Sequence, residues 1–288
     1  MEFLQPGTWA EALQMKAAYP GAVPIQGGTD VMVELNFDRR RPDHLLDLGR
    51  VRELAEWAPA DGQIRLGAGV TFTRVIDELG RQLPGLAIAS RTVGSPQIRN
   101  RGTVGGNLGA ASPAGDAHPP LLASYAAVEA ESVRGTRLIP AAEFFTGVKR
   151  NALQPDELIF AMLIDPADGP QQFCKIGTRN AMVIAVAAFG LALHPAGRRV
   201  GTGIGSAAPT PRRATTAEEF LAQALTADGL WESRGALPDA LVARFADLVA
   251  DAAAPIDDVR GSARYRVHSL SVMARRALAW AWTDYQRM

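Results

Sequence analysis

The stretch from Arg99 to Asp116, R-N-R-G-T-V-G-G-N-L-G-A-A-S-P-A-G-D, constrains this chain more than any other. Its eighteen positions hold Gly102, Gly105, Gly106 and Gly109 together with Thr103, Asn107 and Ser112, and almost nothing that could fill a core. Glycine lets the backbone reach φ > 0 and approach another molecule closely, at an entropic cost that a plain connector rarely justifies. Successive N–H groups in such a turn form a concave anion nest. Thr103, Asn107, Ser112 and Asp116 then offer hydrogen bonds to a ligand that carries both phosphates and hydroxyls. A long surface loop of turn-forming residues would explain the same composition. What favours a ligand is a second turn of the same kind, Gln26-Gly-Gly-Thr-Asp30. It follows a short apolar strand, Ala22 to Ile25, and precedes a helical turn or two over Val31, Met32, Val33 and Leu35. A strand, a tight turn and a helix start form a natural phosphate site.

The rest of the chain reads as two regions. In the first, Thr8 caps a helix to Ala18, with Glu11 completing a capping box. Strands are expected at Leu45 to Leu48, Gln63 to Leu66, Ala127 to Val133 (half-exposed, with Arg137 to Ile139 as hairpin partner) and Leu158 to Ile164. Helices are expected at Thr71 to Leu79, Leu86 to Ser90 after the break at Pro84-Gly85, and Pro119 to Tyr125. The turn cluster Pro166-Ala-Asp-Gly-Pro170 marks the boundary. Beyond it, Gln172 to Thr178, Ala185 to His194 and Arg199 to Ile204 read as an antiparallel sheet. Helices follow at Thr216 to Leu225, Asp239 to Ala253 and Ser262 to Tyr285. The last carries an apolar stripe through Val267, Leu270, Ala274, Leu278 and Ala281, and its Arg264, Arg266, Arg275 and Arg276 read as a solvated face. The G-x-G-x-G at Gly201, Gly203 and Gly205 has the wrong spacing for a dinucleotide fingerprint, and Pro209 and Pro211 stand where its helix should start.

Several chemistries are excluded. Thirty basic residues balance thirty acidic ones, so no net field draws the chain to nucleic acid or an anionic membrane. The longest apolar run, Met182 to Leu193, is too short to span a bilayer, and no secretory signal is expected after Met1-Glu2. Cys174 is the one cysteine: it allows no internal disulfide, suits a reducing cytoplasm, and cannot hold an iron–sulfur cluster alone. It is expected to be a small buried hydrophobe. The four histidines lack metal-ligand spacing, and Asp116-Ala-His118 offers a base only if the following Pro119-Pro120 is not a helix lead-in. Nucleophile-elbow and Walker motifs are absent. Two phosphate-fitted turns about eighty residues apart suit the diphosphate of an extended dinucleotide.

These residues resemble a known family. Ile25-Gln-Gly-Gly-Thr-Asp30, Thr103-Val-Gly-Gly-Asn107 and Ser112-Pro-Ala-Gly-Asp116 are similar to the FAD-binding loops of the flavin (medium) subunit of molybdenum hydroxylases, the xanthine dehydrogenase and carbon monoxide dehydrogenase family. The resemblance continues through Gly147-Val-Lys149, Asp156-Glu-Leu-Ile159, Lys175-Ile-Gly-Thr-Arg179, Pro209-Thr-Pro-Arg212 and the helix from Tyr265 to Leu278, and so covers nearly the whole chain. Ser95-Pro-Gln-Ile-Arg-Asn-Arg101 and Gly177-Thr-Arg-Asn-Ala-Met-Val-Ile184 look most like bacterial xanthine dehydrogenase flavin subunits.

The resemblance implies an α+β fold: a two-subdomain, PCMH-like FAD domain over residues 1–168 (divided near 55/56), then a C-terminal domain over 169–288 of antiparallel sheet packed by helices. It implies that a partner large subunit with molybdopterin oxidises the substrate, that a small subunit with 2Fe–2S clusters relays electrons, and that FAD here passes them to NAD+ or oxygen. A dimer of such heterotrimers is expected, in the cytoplasm, without nucleic acid or membrane. Pro24, Ile25, Gln26, Gly27, Gly28, Thr29, Asp30 and Val31 would wrap the pyrophosphate, and Val93 and Gly94 would lie beside the flavin ring. Thr103, Gly105, Gly106, Asn107, Ala110 and Asp116 would line the flavin chain and adenosine side, Ile159 would touch the ring, and Lys175 would sit near it. A flavin performs its own chemistry, so no catalytic base and no metal ligand is named; Asp30 and Lys175 are candidates for tuning the flavin, or ordinary surface charges. Carbon monoxide, an aldehyde or an N-heterocycle as the partner's substrate, and a non-catalytic dinucleotide-binding module, remain the alternatives.

Overall fold

The computed structural model describes all residues, 1–288. The chain opens with β1 (Glu2–Leu4), α1 (Trp9–Ala18), β2 (Val23–Ile25), α2 (Val31–Asn36) and β3 (His44–Asp47). The three strands form a small parallel sheet in the order β1-β3-β2. Thr8 caps α1 as expected, accepting from Glu11 N at 3.2 Å, while Glu11 reaches back to Gly7 N.

A second layer follows: β4 (Trp57–Ala60), β5 (Gln63–Gly67), α3 (Phe72–Glu78), α4 (Pro84–Thr92), α5 (Pro96–Arg101), α6 (Val104–Ala110) and α7 (His118–Ala123). After these come β6 (Ala127–Ser132), β7 (Gly135–Pro140), α8 (Ala141–Phe144), β8 (Phe145–Gly147), β9 (Arg150–Asn151) and β10 (Leu158–Ile164). Five strands make an antiparallel sheet in the order β4-β5-β10-β6-β7. Leu66, Val128 and Met162 on its buried face join Leu54, Leu108, Leu121 and Phe144 in one core.

The C-terminal region holds β11 (Gln171–Ile176), β12 (Ala187–His194) and β13 (Arg199–Gly205), an antiparallel sheet. Its helices are α9 (Thr215–Ala227), α10 (Leu230–Ser233), α11 (Asp239–Asp251) and α12 (Ala263–Gln286). Phe189, Leu221, Phe245 and Leu278 centre a second core. Every residue of β12 is buried, because α12 covers one face of the sheet and α7 the other. Here the G-x-G-x-G finds its purpose. A Cβ at Gly201 would stand 1.9 Å from the Ala123 carbonyl oxygen, and one at Gly203 2.1 Å from that of Pro119. Gly201 and Gly203 let two backbones touch, so both glycines face protein.

Several expectations need correcting. The segment from Arg99 to Asp116 is not one open loop: α5 ends at Arg101 and α6 fills 104–110. Pro84 starts a helix instead of breaking one, because its missing N–H lies among donors a first turn leaves free. The strand β4 has no clear sequence signal because Pro59 weakens the pattern, yet an edge strand tolerates proline. Strand β6 is mostly buried, not half-exposed: Glu129 goes inside because Arg65 clasps both its oxygens at 2.7 Å. Arg266 is no part of a solvated face. It is 3% exposed and binds Val186 O, Ser206 O and Asp258 Oδ1, each at 2.6 Å.

Candidate functional site

The two Gly-Gly turns, far apart in sequence, meet. A Cβ at Gly27 would lie 1.9 Å from the Arg101 carbonyl oxygen, and one at Gly102 3.4 Å from Thr29 Oγ1. A third turn, Gly67-Ala68-Gly69, closes the group. Gly105 N donates to Ala68 O at 3.1 Å and Val104 N to Val70 O at 3.3 Å. A Cβ at Gly105 would stand 2.4 Å from that of Ala68, and one at Gly69 2.8 Å from Gln26 Nε2. Gly27 and Gly105 are therefore spent on close backbone contact, which no larger residue permits, while Gly69 makes room for the Gln26 side chain. The expected φ > 0 appears at Gly28 (+74°) and Gly94 (+45°), whereas Gly105 and Gly106 are helical. No anion nest forms at Gly105-Gly106. Thr103 instead caps α6 by accepting from Gly106 N at 3.0 Å.

What the packing leaves outward is the other side of α6. Gly106 and Gly109 are exposed and Asn107 and Ala110 half-buried, and a Cβ at Gly106 would meet only Thr103 Oγ1, at 3.0 Å. Ile159 is 9% exposed and backs this helix, its Cδ1 3.9 Å from where a Gly109 Cβ would stand. Across from α6 run Pro24 to Val31, with Pro24 and Asp30 exposed and the residues between half-buried. Asp30 makes no capping bond to α2. The turn between β8 and β9 borders this space: Lys149 N donates to Ala111 O, and its ammonium pairs with Glu34 of α2 at 2.5 Å.

At the junction of the lobes lies a cleft of about 470 Å³. Lys175 on β11 lines it and forms an ion pair with Asp116, just before α7, Nζ to Oδ2 at 2.5 Å, each side chain 9% exposed. Thr92 adds its hydroxyl to Oδ2 at 3.2 Å and its carbonyl to Lys175 Nζ at 3.2 Å. Burial raises the Asp116 carboxyl above the ordinary aspartate range, and Lys175 and Thr92 offset this only in part. Asp116 Oδ1 is buried with no partner, as is Gln26 Oε1. Such acceptors are expected to meet a donor. Arg91, Arg99 and Arg179 also line the cleft, together with Gly94, Ser95 and Gly177, and no carboxylate pairs with any of the three. Arg99 Nη1 is shared among the carbonyls of Arg91, Val93 and Gly94 at 3.1–3.3 Å.

The expected site residues thus fall into two adjoining groups. Gln26, Gly27, Thr29, Thr103, Gly105 and Gly106 converge at the meeting turns, while Gly94, Asp116 and Lys175 converge at the cleft. Val93, between the cleft-lining Thr92 and Gly94, packs its side chain against the first core and gives its carbonyl to Arg99. Arg91, Thr92, Arg99 and Arg179 join the cleft without a sequence signal: R-T-V-G-S-P-Q-I-R and K-I-G-T-R contain them, but no local pattern says that these segments face one another. Cys174 packs half-buried against the second core, its thiol pushed up to about 11 by burial. No helix is long and apolar enough to cross a membrane.

Residues 1–166 match the family model described as the FAD binding domain in molybdopterin dehydrogenase, and residues 172–281 match the CO dehydrogenase flavoprotein C-terminal domain. The chain is 37% identical to the nicotinate dehydrogenase FAD-subunit of Eubacterium barkeri over 67% of this chain and 68% of that one. It is 31% identical to the xanthine dehydrogenase FAD-binding subunit of Escherichia coli O157:H7 over 95% and 93%. Among solved structures, a chain of the carbon monoxide dehydrogenase from Hydrogenophaga pseudoflava superposes with a TM-score of 0.87 at 26% identity, covering 99% of this chain and 98% of that one.

Proposed function

The chain belongs to the family of FAD-binding subunits of molybdenum hydroxylases, and from that premise we propose that it is the flavin subunit of a xanthine dehydrogenase, handing electrons to NAD+. The observation that carries the assignment is the meeting of three glycine-tight turns beside buried, unpartnered acceptors. The orphaned Gln26 Oε1 and Asp116 Oδ1, the side-chain-free face of Gly106 and Gly109, and the cationic cleft all fit a diphosphate-bearing, hydrogen-bonding cofactor.

Bound FAD supplies a ring that takes up and gives out one or two electrons. The chain's own residues bind and orient it. Pro24 to Val31 and Gly106 to Ala110 would hold the chain of the cofactor between two backbone walls. Lys175 is held in place by Asp116 and Thr92, where a positive charge would favour the reduced, more anionic form of the ring. Arg91, Arg99 and Arg179 lack carboxylate partners, which supports an acceptor that carries a pyrophosphate.

With a single cysteine, the chain cannot hold an iron–sulfur cluster, so electrons must come from companion chains, a molybdopterin-bearing large subunit and a small subunit with 2Fe–2S clusters, in a dimer of heterotrimers. A cytoplasmic location belongs to the same proposal, since one free thiol suits a reducing compartment. The 37% identity to a nicotinate dehydrogenase subunit supports a second reading, in which the partner oxidises another N-heterocycle.

Purification and reconstitution test this. The chain should be yellow and release non-covalent FAD, and only the three-part complex should couple xanthine to NAD+ reduction, the lone subunit keeping at most a weak NADH–dye activity. NADP or no nucleotide in folded protein would overturn the cofactor assignment, and nicotinate turnover without xanthine turnover would move the substrate.

A further inference from the structure

The segment Ser112-Pro-Ala-Gly-Asp-Ala-His118 joins α6 to α7, and its histidine has no part in the function proposed above. His118 is fully buried at the start of α7. Its Nε2 lies 3.1 Å from the carbonyl oxygen of Asn107, and its ring centroid lies 4.5 Å from that of Phe145. Its Nδ1 has no partner. A carbonyl can only accept, so Nε2 carries the hydrogen and Nδ1 is bare: the ring is the neutral Nε2–H tautomer. Burial keeps it neutral, pushing its pKa down to about 4 although the Asn107 and Ser112 carbonyls pull the other way. A second tie runs beside the first, from Ala117 N to Asn107 Oδ1 at 3.3 Å. With Oδ1 so engaged, the Asn107 amide hydrogens are left for another acceptor.

Gly115 exists for this ring. A Cβ there would stand 2.2 Å from His118 Cε1 and 2.7 Å from each ring nitrogen. The φ of Gly115 is not positive, so no turn demands the glycine. The tie has leverage because α6 cannot hold itself: three of its seven residues are glycine, and so short a helix is unstable alone.

We propose that His118, seated in the notch left by Gly115, is a positioning residue for the flavin cradle: its Nε2–H pins the Asn107 carbonyl and so holds the open face of α6 and the Asn107 carboxamide in place for the cofactor. This rests on the FAD site proposed above. It assigns Gly115 and His118 a purpose that neither turn chemistry nor contact with the cofactor would give them.

The test uses the full apo chain, titrated with FAD by flavin fluorescence, with circular dichroism melts in parallel. Wild type, His118→Ala, His118→Gln, Gly115→Ala and the Gly115→Ala/His118→Ala double variant are compared. His118→Ala should weaken FAD about tenfold, the loss expected for one buried hydrogen bond, and His118→Gln should recover most of it through its amide N–H. Gly115→Ala should weaken FAD similarly, yet add nothing in the His118→Ala background, where the ring it collides with is gone. Unchanged FAD affinity in folded His118→Ala would overturn the inference, as would a Gly115→Ala penalty that persists without His118. If His118→Ala fails to fold, His118→Gln and Gly115→Ala decide: wild-type affinity in folded Gly115→Ala overturns the inference, and a tenfold loss there with near-native His118→Gln supports it. A folded wild type that binds no FAD would overturn the cofactor site itself, a result distinct from either.

Discussion

Asp116 and Lys175 stand 2.5 Å apart, each nine-tenths buried, where the lobes meet. The Asp116 pKa is raised by burial, so its contribution to stability is present in full below the unfolded pKa and is lost as pH rises through the folded one. A buried pair of this kind is a poor reason for the fold to be stable, and a better one for a ligand to be recognised. Lys175→Met alone should destabilise by about 3–5 kcal/mol, since it strands a buried carboxylate. Adding Asp116→Asn should restore most of that stability in urea while FAD affinity stays low; a double variant as unstable as the single one would refute this. His118 gives the opposite pH sign. Its pKa falls from 6.5 to about 4, so the unfolded chain binds more protons between those values. Stability is full above about pH 6.5 and falls by roughly 3 kcal/mol as pH drops to 4. The wild-type pH–stability slope in that window should exceed that of His118→Gln, and equal slopes would contradict it.

Among the elements, α6 decides the site. Its sequence V-G-G-N-L-G-A has poor helix propensity, and it is helical because Thr103 caps it, Ala68 and Val70 accept its first N–H groups, and Leu108 enters the core. Two adjacent glycines consequently differ. Gly105→Ala drives a methyl to within 2.4 Å of the Ala68 Cβ, an overpacking expected to cost about 1–3 kcal/mol. Gly106→Val meets only Thr103 Oγ1, and should spare most of the fold while removing most of the FAD. Melts and flavin occupancy on both variants separate the two roles; equal effects of both on stability would mean that the inner and outer faces of α6 are wrongly assigned.

For the whole molecule, the lobes act as one body because β13 lies directly on α7. Gly203→Val would force its side chain into the Pro119 carbonyl, only 2.1 Å from the Cβ position. Because α7 is tied to α6 through His118 and Ala117, the damage should reach the outer face of α6 no less than the junction itself. The expected outcome is a lowered melting temperature together with weakened FAD binding, read on one preparation. A variant that melts lower but keeps wild-type FAD affinity would show that the junction does not shape the site.

The sequence by itself determined the elements whose signals are local: the Thr8 cap, the apolar run of β10, the stripe of α12, and two small-residue turns bordering a short strand and a helix. It also determined the family, because the paired G-G turns with S-P-A-G-D occur as an ordered set. What it could not determine was which glycines touch protein and which face outward, since that depends on what lies 2–4 Å from an absent Cβ. Gly201 and Gly203 of β13, Gly27 and Gly105 serve backbone contact, Gly115 yields to an imidazole, and Gly106 alone of its pair is free. Nor could it place Arg266 inside, or set Asp116 against Lys175, residues 59 apart in the chain. Burial and charge pairing arise when distant segments are brought together, and only the tertiary structure does that.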